Sequence, residues 1–242
     1  VIAGALSVVV APVIGVTQRN PKAVLAYSSV GQMGLAAMVV GAGLIAPTAW
    51  AILGPALILF AVHHGLAKGA LFLGLGAMTA GSGRAWRWAW LVLLAVPAAA
   101  LAGLPFTSGY AVKSAIAEGL AVLPGAWAAW GTLALTLGTV GTTVLMMRFI
   151  VVSSDRPRDA RTPAYAVPTL AVPALAAVVG SVSLVAGLPF EPMPTASVHA
   201  GNVLGGAAPV LAALGLGVVV MATRRLARIR VHEIPAGEIL AI

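Results

Sequence analysis

The sequence predicts an all-α polytopic membrane protein, and three observations support this fold class. Hydrophobic residues make up 60% of the 242 residues and charged residues only 8%, whereas a soluble domain carries about 25% charged residues. The apolar residues form continuous runs of about the length that crosses a bilayer as a helix. These runs do not alternate with polar residues, as the strands of a membrane β-barrel would.

Eight apolar segments predict about eight transmembrane helices, since a span needs roughly 20 predominantly apolar residues. The segments are 1–17, 23–46, 49–80, 87–104, 105–124, 126–152, 167–188 and 207–223. The third is too long for a perpendicular helix, so we expect it to tilt or to kink at Pro55. The chain begins inside an apolar run, and we expect it to be a piece of a longer polypeptide.

Polar loops divide the chain into a core (1–152), two further helices with their loops (153–223) and a basic tail outside the membrane (224–242). The net charge of +8 lies mainly in loops and tail, which favours contact with the lipid bilayer over nucleic acid. If successive spans cross the membrane in alternating directions, one side holds Arg19, Lys22, Arg84 and Arg87. The other side holds Arg148 and the arginines at 156, 158 and 161. The absence of cysteine excludes disulfides and cysteine nucleophiles.

The stretch "AVHHGLAKGALFLGLG" (61–76) places three ionisable residues inside an apolar span. Such residues are costly in a membrane and indicate a functional site. His64 and Lys68 are four residues apart and share one helix face, while His63 is rotated by about 100°. Both residue types can change protonation near neutral pH once they leave water. A role in holding the helices together is the alternative, whereas adjacent histidines do not suit a haem that is ligated from facing helices.

The stretch "LAGLPFTSGYAVKSAIAEG" (101–119) predicts a discontinuous helix. Four residues interrupt the apolar run: Pro105, Thr107, Ser108 and Gly109. The helix then resumes with Lys113 and Glu118. Broken helices at membrane depth occur where protein or a water-filled cavity surrounds the free backbone groups. The alternative is a proline kink with a lysine that reaches the interface.

The stretch "NPKAVLAYSSVGQMG" (20–34) begins a helix at Lys22 and continues with four polar residues: Tyr27, Ser28, Ser29 and Gln32. Ser28 and Gln32 are four residues apart, which predicts a polar stripe that could hold water. A hydrogen-bonded seam between helices is an equally good interpretation.

The other charged residues fit ordinary surface roles. We interpret Arg84 and Arg87 as anchors at the membrane interface. Six residues are assigned to solvated loops or the tail: Asp155, Asp159, Glu191, His199, His232 and Glu233.

Taken together and in this order, the three stretches resemble the antiporter-like subunits of proton-pumping NADH:quinone oxidoreductase (respiratory complex I). Relatives of that family occur in Mrp-type cation/proton antiporters and in membrane-bound hydrogenases. The resemblance covers about residues 1–150, whereas the last two spans match only as apolar segments.

The resemblance implies inverted five-helix repeats, each with one broken helix, of which this chain would be the second, preceded by one helix and followed by two. It implies that Lys113 is the protonatable residue of the broken helix and Lys68 the central connecting lysine. His64 would precede Lys68 by one turn, and Lys22 would open the helix before. His63 has no clear family counterpart, and Phe60 stands where the family often has a further histidine.

From these residues we expect proton translocation by a subunit of an NADH:quinone oxidoreductase-type or hydrogenase-type complex. We expect no cofactor in this chain, other membrane subunits as partners, and a bacterial or archaeal cytoplasmic membrane. The first alternative is a subunit of a Na⁺(K⁺)/H⁺ antiporter, and the second is a structural scaffold. An intramembrane hydrolase is disfavoured because no paired membrane aspartate accompanies His64.

Overall fold

The computed structural model describes residues 1–80, 83–155, 166–179, 207–215 and 217. These residues form α-helices joined by short connections, which confirms the predicted all-α fold. The helices are α1 (Ile2–Gly15), α2 (Pro21–Ile45), α3 (Trp50–Ala80), α4 (Arg84–Ala102), α5 (Ser108–Ala121), α6 (Ala126–Ser154) and α7 (Ala166–Val179). A short 3₁₀ turn, Pro47–Ala49, precedes α3, and residues 207–215 are also helical.

Among the described residues, four helices are long and apolar enough to cross a membrane. They are Pro21–Ile45, Pro47–Met78, Arg84–Ala102 and Ala126–Ser154, and α1 is a shorter apolar helix. Pro55 lies inside α3, which continues past it as one helix of 31 residues. The prediction of a polytopic membrane protein is therefore confirmed.

Local sequence explains where the helices near the site begin and end. The Asn20 side chain accepts a hydrogen bond from the backbone N–H of Lys22, and Pro21 occupies the first helical position of α2. Gly103 ends α4 in the left-handed conformation with φ +86°, which glycine adopts without steric cost. Thr107 then caps α5.

Helices α4 and α5 together form one discontinuous pass, antiparallel to α3. Three contacts in order along α3 establish the direction: Leu53 with Gly119, His63 with Ser108, and Gly74 with Leu94. The residue numbers on α5 and α4 fall as those on α3 rise, so the broken pass runs antiparallel to α3. The segments 87–104 and 105–124, counted as separate spans from their hydropathy, are thus the two halves of one broken helix. The chain from α1 to α6 makes five passes, and α1 is the first of the five rather than an additional helix.

The ends of α1 and α6 lie at the same end of the bundle. Arg148 of α6 donates hydrogen bonds from Nε and Nη2 to the Gln18 carbonyl oxygen, at 3.1 and 2.9 Å. We call this the basic end, because it holds five of the seven described lysines and arginines: Arg19, Lys22, Arg84, Arg87 and Arg148. The prediction that Arg148 lies on the other side of the membrane from these four residues was wrong. It counted α4 and α5 as two separate spans, and this count reversed the direction in which α6 crosses.

Two apolar clusters divide the bundle along its length. One packs the basic end and includes Ala67 of α3, and the other packs the opposite end and includes Phe60. His63 and His64 lie between these two residues on α3, at the level of the break between α4 and α5. The sequence thus places these two histidines between two apolar layers. Helix α7 packs against α3 and α4.

Several predictions fall outside the described residues. They concern Arg156, Arg158, Asp159, Arg161, Glu191, His199, His232, Glu233, most of the last two segments, and the tail at 224–242.

Candidate functional site

Lys113 of α5 binds the carboxyl-terminal end of α4. Its Nζ donates hydrogen bonds to the carbonyl oxygens of Leu101 at 3.1 Å and Ala102 at 2.7 Å. The last carbonyls of a helix have no partner within the helix and carry the negative end of its dipole. A lysine ammonium is therefore the complementary group at this position, and it joins the two halves of the broken pass.

The break itself comprises residues 103–107. The Thr107 hydroxyl donates to the Leu104 carbonyl oxygen at 2.7 Å and accepts from the Tyr110 backbone N–H at 3.4 Å. Pro105 lies in the break, as predicted, and Phe106 has a positive φ of +67°. Only a few per cent of residues other than glycine adopt such a φ, so the surrounding structure constrains this backbone.

Gly109 lies in the first turn of α5 rather than in the break, which corrects its predicted position. Its Cα faces the Ala100 carbonyl oxygen so closely that no Cβ fits between them. Glycine is required here for the approach of α5 to α4, not for a left-handed conformation.

His63 connects α3 to the start of α5. Its Nδ1 and the Ser108 Oγ are hydrogen-bonded at 2.8 Å, and both side chains are buried. His63 also interacts electrostatically with Lys113 and with His64. The structure thus brings His63 together with Ser108, within electrostatic range of Lys113, although the resemblance gave His63 no counterpart.

Lys68 reaches across from α3 to α2. Its Nζ donates a 2.7 Å hydrogen bond to the carbonyl oxygen of Leu25, inside the buried interface. The Ser29 hydroxyl donates to the same oxygen at 3.2 Å. Among the described groups, a backbone carbonyl and not a carboxylate is therefore the hydrogen-bond acceptor for this lysine.

His64 stacks on Phe60, with the ring centroids 5.7 Å apart and the planes 18° apart. It also interacts electrostatically with Lys68, one turn further along α3. Its Nδ1 is buried and has no hydrogen-bond partner among the described residues. Phe60 thus contributes an aromatic surface to His64, one turn earlier on α3.

The polar stripe of α2 divides into two kinds of residue. Gln32 donates from Nε2 to the Thr142 hydroxyl of α6 at 2.7 Å, as the helix-seam interpretation predicts. Ser28 is 1% exposed, and its Oγ contacts no hydrogen-bond partner in the described part of the chain. The seam interpretation therefore accounts for Gln32 but leaves Ser28 unexplained.

Three predicted residues lie at the margin of this arrangement. Lys22 is exposed at the start of α2, at the basic end. Tyr27 is half-buried against Gly15 of α1. Glu118 is half-buried beyond Lys113 on α5, while the Lys113 Nζ points back to α4. The structure does not bring Glu118 and Lys113 together.

Sequence reasoning missed the groups that accept hydrogen bonds from the lysines, because these are backbone carbonyls that any residue carries. It also missed Thr142. The run of threonines in an otherwise apolar span is the sequence feature that could have identified this residue. Among the described residues, no group of three or more His, Cys, Asp or Glu side chains could hold a metal ion.

The site therefore consists of four protonatable side chains, three of them buried and Lys113 half-buried, that lie near enough to one another along the site for the charge of each to act on the next. The order is Lys113, His63, His64 and Lys68. Hydrogen bonds from this series reach three neighbouring helices, namely α2, α4 and α5. Lysine and histidine side chains removed from water can accept, hold and release protons near neutral pH.

A comparison with protein-family models matches residues 1–146 to the family described as NADH:quinone oxidoreductase/Mrp antiporter, TM. No curated protein matches the chain.

Proposed function

The chain belongs to the transmembrane family of NADH:quinone oxidoreductases and Mrp antiporters, and we propose that it moves protons across a membrane as a subunit of an NADH:quinone oxidoreductase-type or hydrogenase-type complex. The observation that carries this proposal is the position of Lys113 at the break between α4 and α5. Lys113 lies on α5 and donates hydrogen bonds to the last carbonyls of α4. A change in its protonation would therefore change the contact between the two half-helices.

The order of the four protonatable groups supports transfer along the bundle interior. Lys113 exchanges protons with one aqueous side, and His63 and His64 lie between it and Lys68. A charge on one group repels a charge on the next, because unit charges a few ångströms apart interact strongly inside a protein. Protonation at one end therefore influences protonation further along.

Other membrane subunits are the proposed partners, since members of this family are membrane subunits of multisubunit complexes. Energy would reach this subunit from a redox module through the neighbouring membrane subunits. The remaining half of the proton path would be supplied by the first five-helix repeat of the family. We propose a bacterial or archaeal cytoplasmic membrane as the location.

The replacement of Lys113 by alanine in the assembled complex tests this function. We expect electron transfer to continue while the number of protons moved per electron falls, because the carbonyls of Leu101 and Ala102 lose their cation and the series loses its first member. The exposed Arg84→Ala variant is the control and should pump normally. An unchanged proton-to-electron ratio in Lys113→Ala would reject the proposed role.

Two alternatives make different predictions in the same preparation. A Na⁺(K⁺)/H⁺ antiporter subunit would exchange protons for Na⁺ or K⁺ in vesicles without any electron donor. A structural scaffold would show wild-type transport in both Lys113→Ala and Lys68→Ala.

A further inference from the structure

The first halves of α1 and α6 enclose a cleft on the outer face of the bundle. The two helices run in the same direction and contact each other where Val8 meets Gly138. Between this contact and the end opposite the basic end they pack on different neighbours, since Gly4 lies against α2 and Gly131 lies against α5. The space left between them has a volume of about 470 Å³, which is within the usual range of ligand sites, about 300–1,000 Å³.

Every described side chain that lines this cleft is apolar. Five lining residues lie within residues 1–9, six lie within residues 126–137, and Met38 of α2 completes the lining. Met38 is fully buried and forms the floor, whereas Ile2 and Trp130 are 67% and 63% exposed, so the cleft opens away from the bundle. Such a lining suits a hydrocarbon ligand and disfavours a charged one, because no group is present to compensate a buried charge.

The dimensions of the cleft match one hydrocarbon chain. Its walls extend over residues 1–9 and 126–137, which is roughly 12–16 Å at about 1.5 Å per residue. The hydrocarbon core of a bilayer is about 30 Å thick, so the cleft is as long as one leaflet is deep. Over this length the volume corresponds to a mean cross-section of roughly 30–40 Å², whereas a helix of about 10–12 Å diameter needs roughly 80–110 Å². A single lipid chain therefore fits this space and a transmembrane helix does not.

The residues at the mouth of the cleft also disfavour a helix as the occupant. Membrane helices associate through small residues that let their backbones approach closely. The described glycines of α1 and α6 already face other helices of this chain; they are Gly4, Gly15, Gly131, Gly138 and Gly141. The mouth instead presents large exposed side chains, including Leu6 and Leu133, and these suit contact with hydrocarbon.

The distribution of charge around the cleft indicates the kind of lipid. Trp127 and Trp130 line the cleft near the start of α6, and tryptophans favour the level of the lipid headgroups, where the indole N–H can donate a hydrogen bond. The neighbouring connections, residues 46–49 and 122–125, contain no lysine or arginine. An anionic headgroup therefore has no basic partner in them, and a zwitterionic phospholipid is the complementary ligand.

We propose that this cleft binds one acyl chain of a zwitterionic phospholipid from the leaflet opposite the basic end. The proposal goes beyond proton translocation and does not depend on it. The bound chain fills the space between α1 and α6, so its contacts support the first half of α1 where that helix does not touch α6. Helices enclose this chain on two sides, whereas bulk lipid touches the protein on one side, so it should exchange more slowly than bulk lipid.

Photolabelling of the full chain in phosphatidylethanolamine vesicles tests the proposal, with a diazirine in the middle of one acyl chain of the probe lipid. We expect severalfold more label on Leu133 of the cleft than on Met33 of α2, although the two side chains are similarly exposed, at 47% and 49%. Met33 does not line the cleft and lies at a similar height, because its neighbour Gly34 packs against Gly4. Equal labelling of these two residues would overturn the proposal, since bulk lipid alone would produce it.

A phenylalanine placed in the cleft should compete with the acyl chain. Ala5→Phe adds a ring to the lining, so it should reduce the labelling of Leu133 severalfold. Ala3→Phe is the matched control, because Ala3 is exposed on the same helix and does not line the cleft, and it should retain wild-type labelling. Unchanged labelling in Ala5→Phe, or an equal loss in both variants, would contradict the assignment.

The wild-type protein provides a second measurement that does not depend on the folding of a variant. Native mass spectrometry after transfer into mild detergent should show one retained phosphatidylethanolamine molecule. The loss of all phospholipid, or retention of a quinone instead, would overturn the proposal. A map of the assembled complex that shows a protein helix in the cleft would also overturn it.

Discussion

The Lys113 Nζ lies 2.7 Å from the carbonyl oxygen of Ala102, so a side chain of α5 holds the last residue of α4. The charge of the ammonium strengthens this contact, since the end of α4 carries a partial negative charge. When the proton leaves, the charge and one donor are lost. The protonation of Lys113 and the spacing of the two half-helices are therefore linked through the hydrogen bonds of its Nζ to the end of α4.

Gly109→Ala should destabilise the protein, because the added Cβ would meet the Ala100 carbonyl oxygen at the crossing of α4 and α5. Overpacking of this kind costs about 1–3 kcal/mol. Thermal unfolding of the purified protein in detergent measures the effect. Gly65→Ala is the matched control, because a Cβ at Gly65 meets nothing within 4 Å, so it should be neutral or stabilising. Equal unfolding temperatures for the two variants would contradict the close approach.

Ser108→Ala should slow proton translocation severalfold, because it removes one partner of the buried hydrogen bond with His63, and such a bond contributes about 1 kcal/mol. His63→Ala should slow it more, because it also removes a protonatable member of the series. The double variant should be little slower than His63→Ala, since residues in contact are not additive. Translocation assays in reconstituted vesicles decide this, and strictly additive effects would argue against a shared role.

The pair of Gln32 and Thr142 should contribute to stability and not to transport, because it joins α2 to α6 as a structural seam. Inter-helix hydrogen bonds in membranes have coupling energies averaging about 0.6 kcal/mol. A double-mutant cycle with Gln32→Ala and Thr142→Val, followed by unfolding in detergent, should give a value of this size. A large loss of translocation in Thr142→Val would instead assign this seam to the proton path.

The basic end should face the cytoplasm, because cytoplasmic loops carry the excess of lysine and arginine. The five basic residues of that end contrast with the α2–α3 and α5–α6 connections (residues 46–49 and 122–125), which have none. Since the chain has no native cysteine, single cysteines report orientation cleanly. A membrane-impermeant thiol reagent should label Thr48→Cys in intact cells and Ala85→Cys only in inverted vesicles. The opposite labelling would reverse the orientation.

Sequence alone predicted most of this architecture at the level of single helices. Hydropathy located the long helices, and the interruption around Pro105 predicted the discontinuous helix. The direction of its second half could not be predicted, because two short apolar runs look like two spans whether the chain reverses or continues between them. That ambiguity also placed Arg148 on the wrong side.

The candidate site was predictable where ionisable side chains stand out against an apolar background, as His63, His64, Lys68 and Lys113 do. Their hydrogen-bond partners were not predictable, because they are the backbone carbonyls of Leu25, Leu101 and Ala102. Every residue carries a backbone carbonyl, so the residue type does not identify which one is used. Gln32 has a side-chain hydrogen-bond partner and Ser28 has none among the described residues. This difference depends on which side chain of the neighbouring helix each one faces. Spacing along one helix does not contain that information.

Helix α3 holds two separate neighbours with side chains five residues apart, His63 towards α5 and Lys68 towards α2. These positions are about 140° apart around the helix axis. A rigid rod turns as one piece, so any twist of α3 that disturbs one attachment also disturbs the other. A rotation of α3 at its contact with α5 would therefore also change its contact with α2.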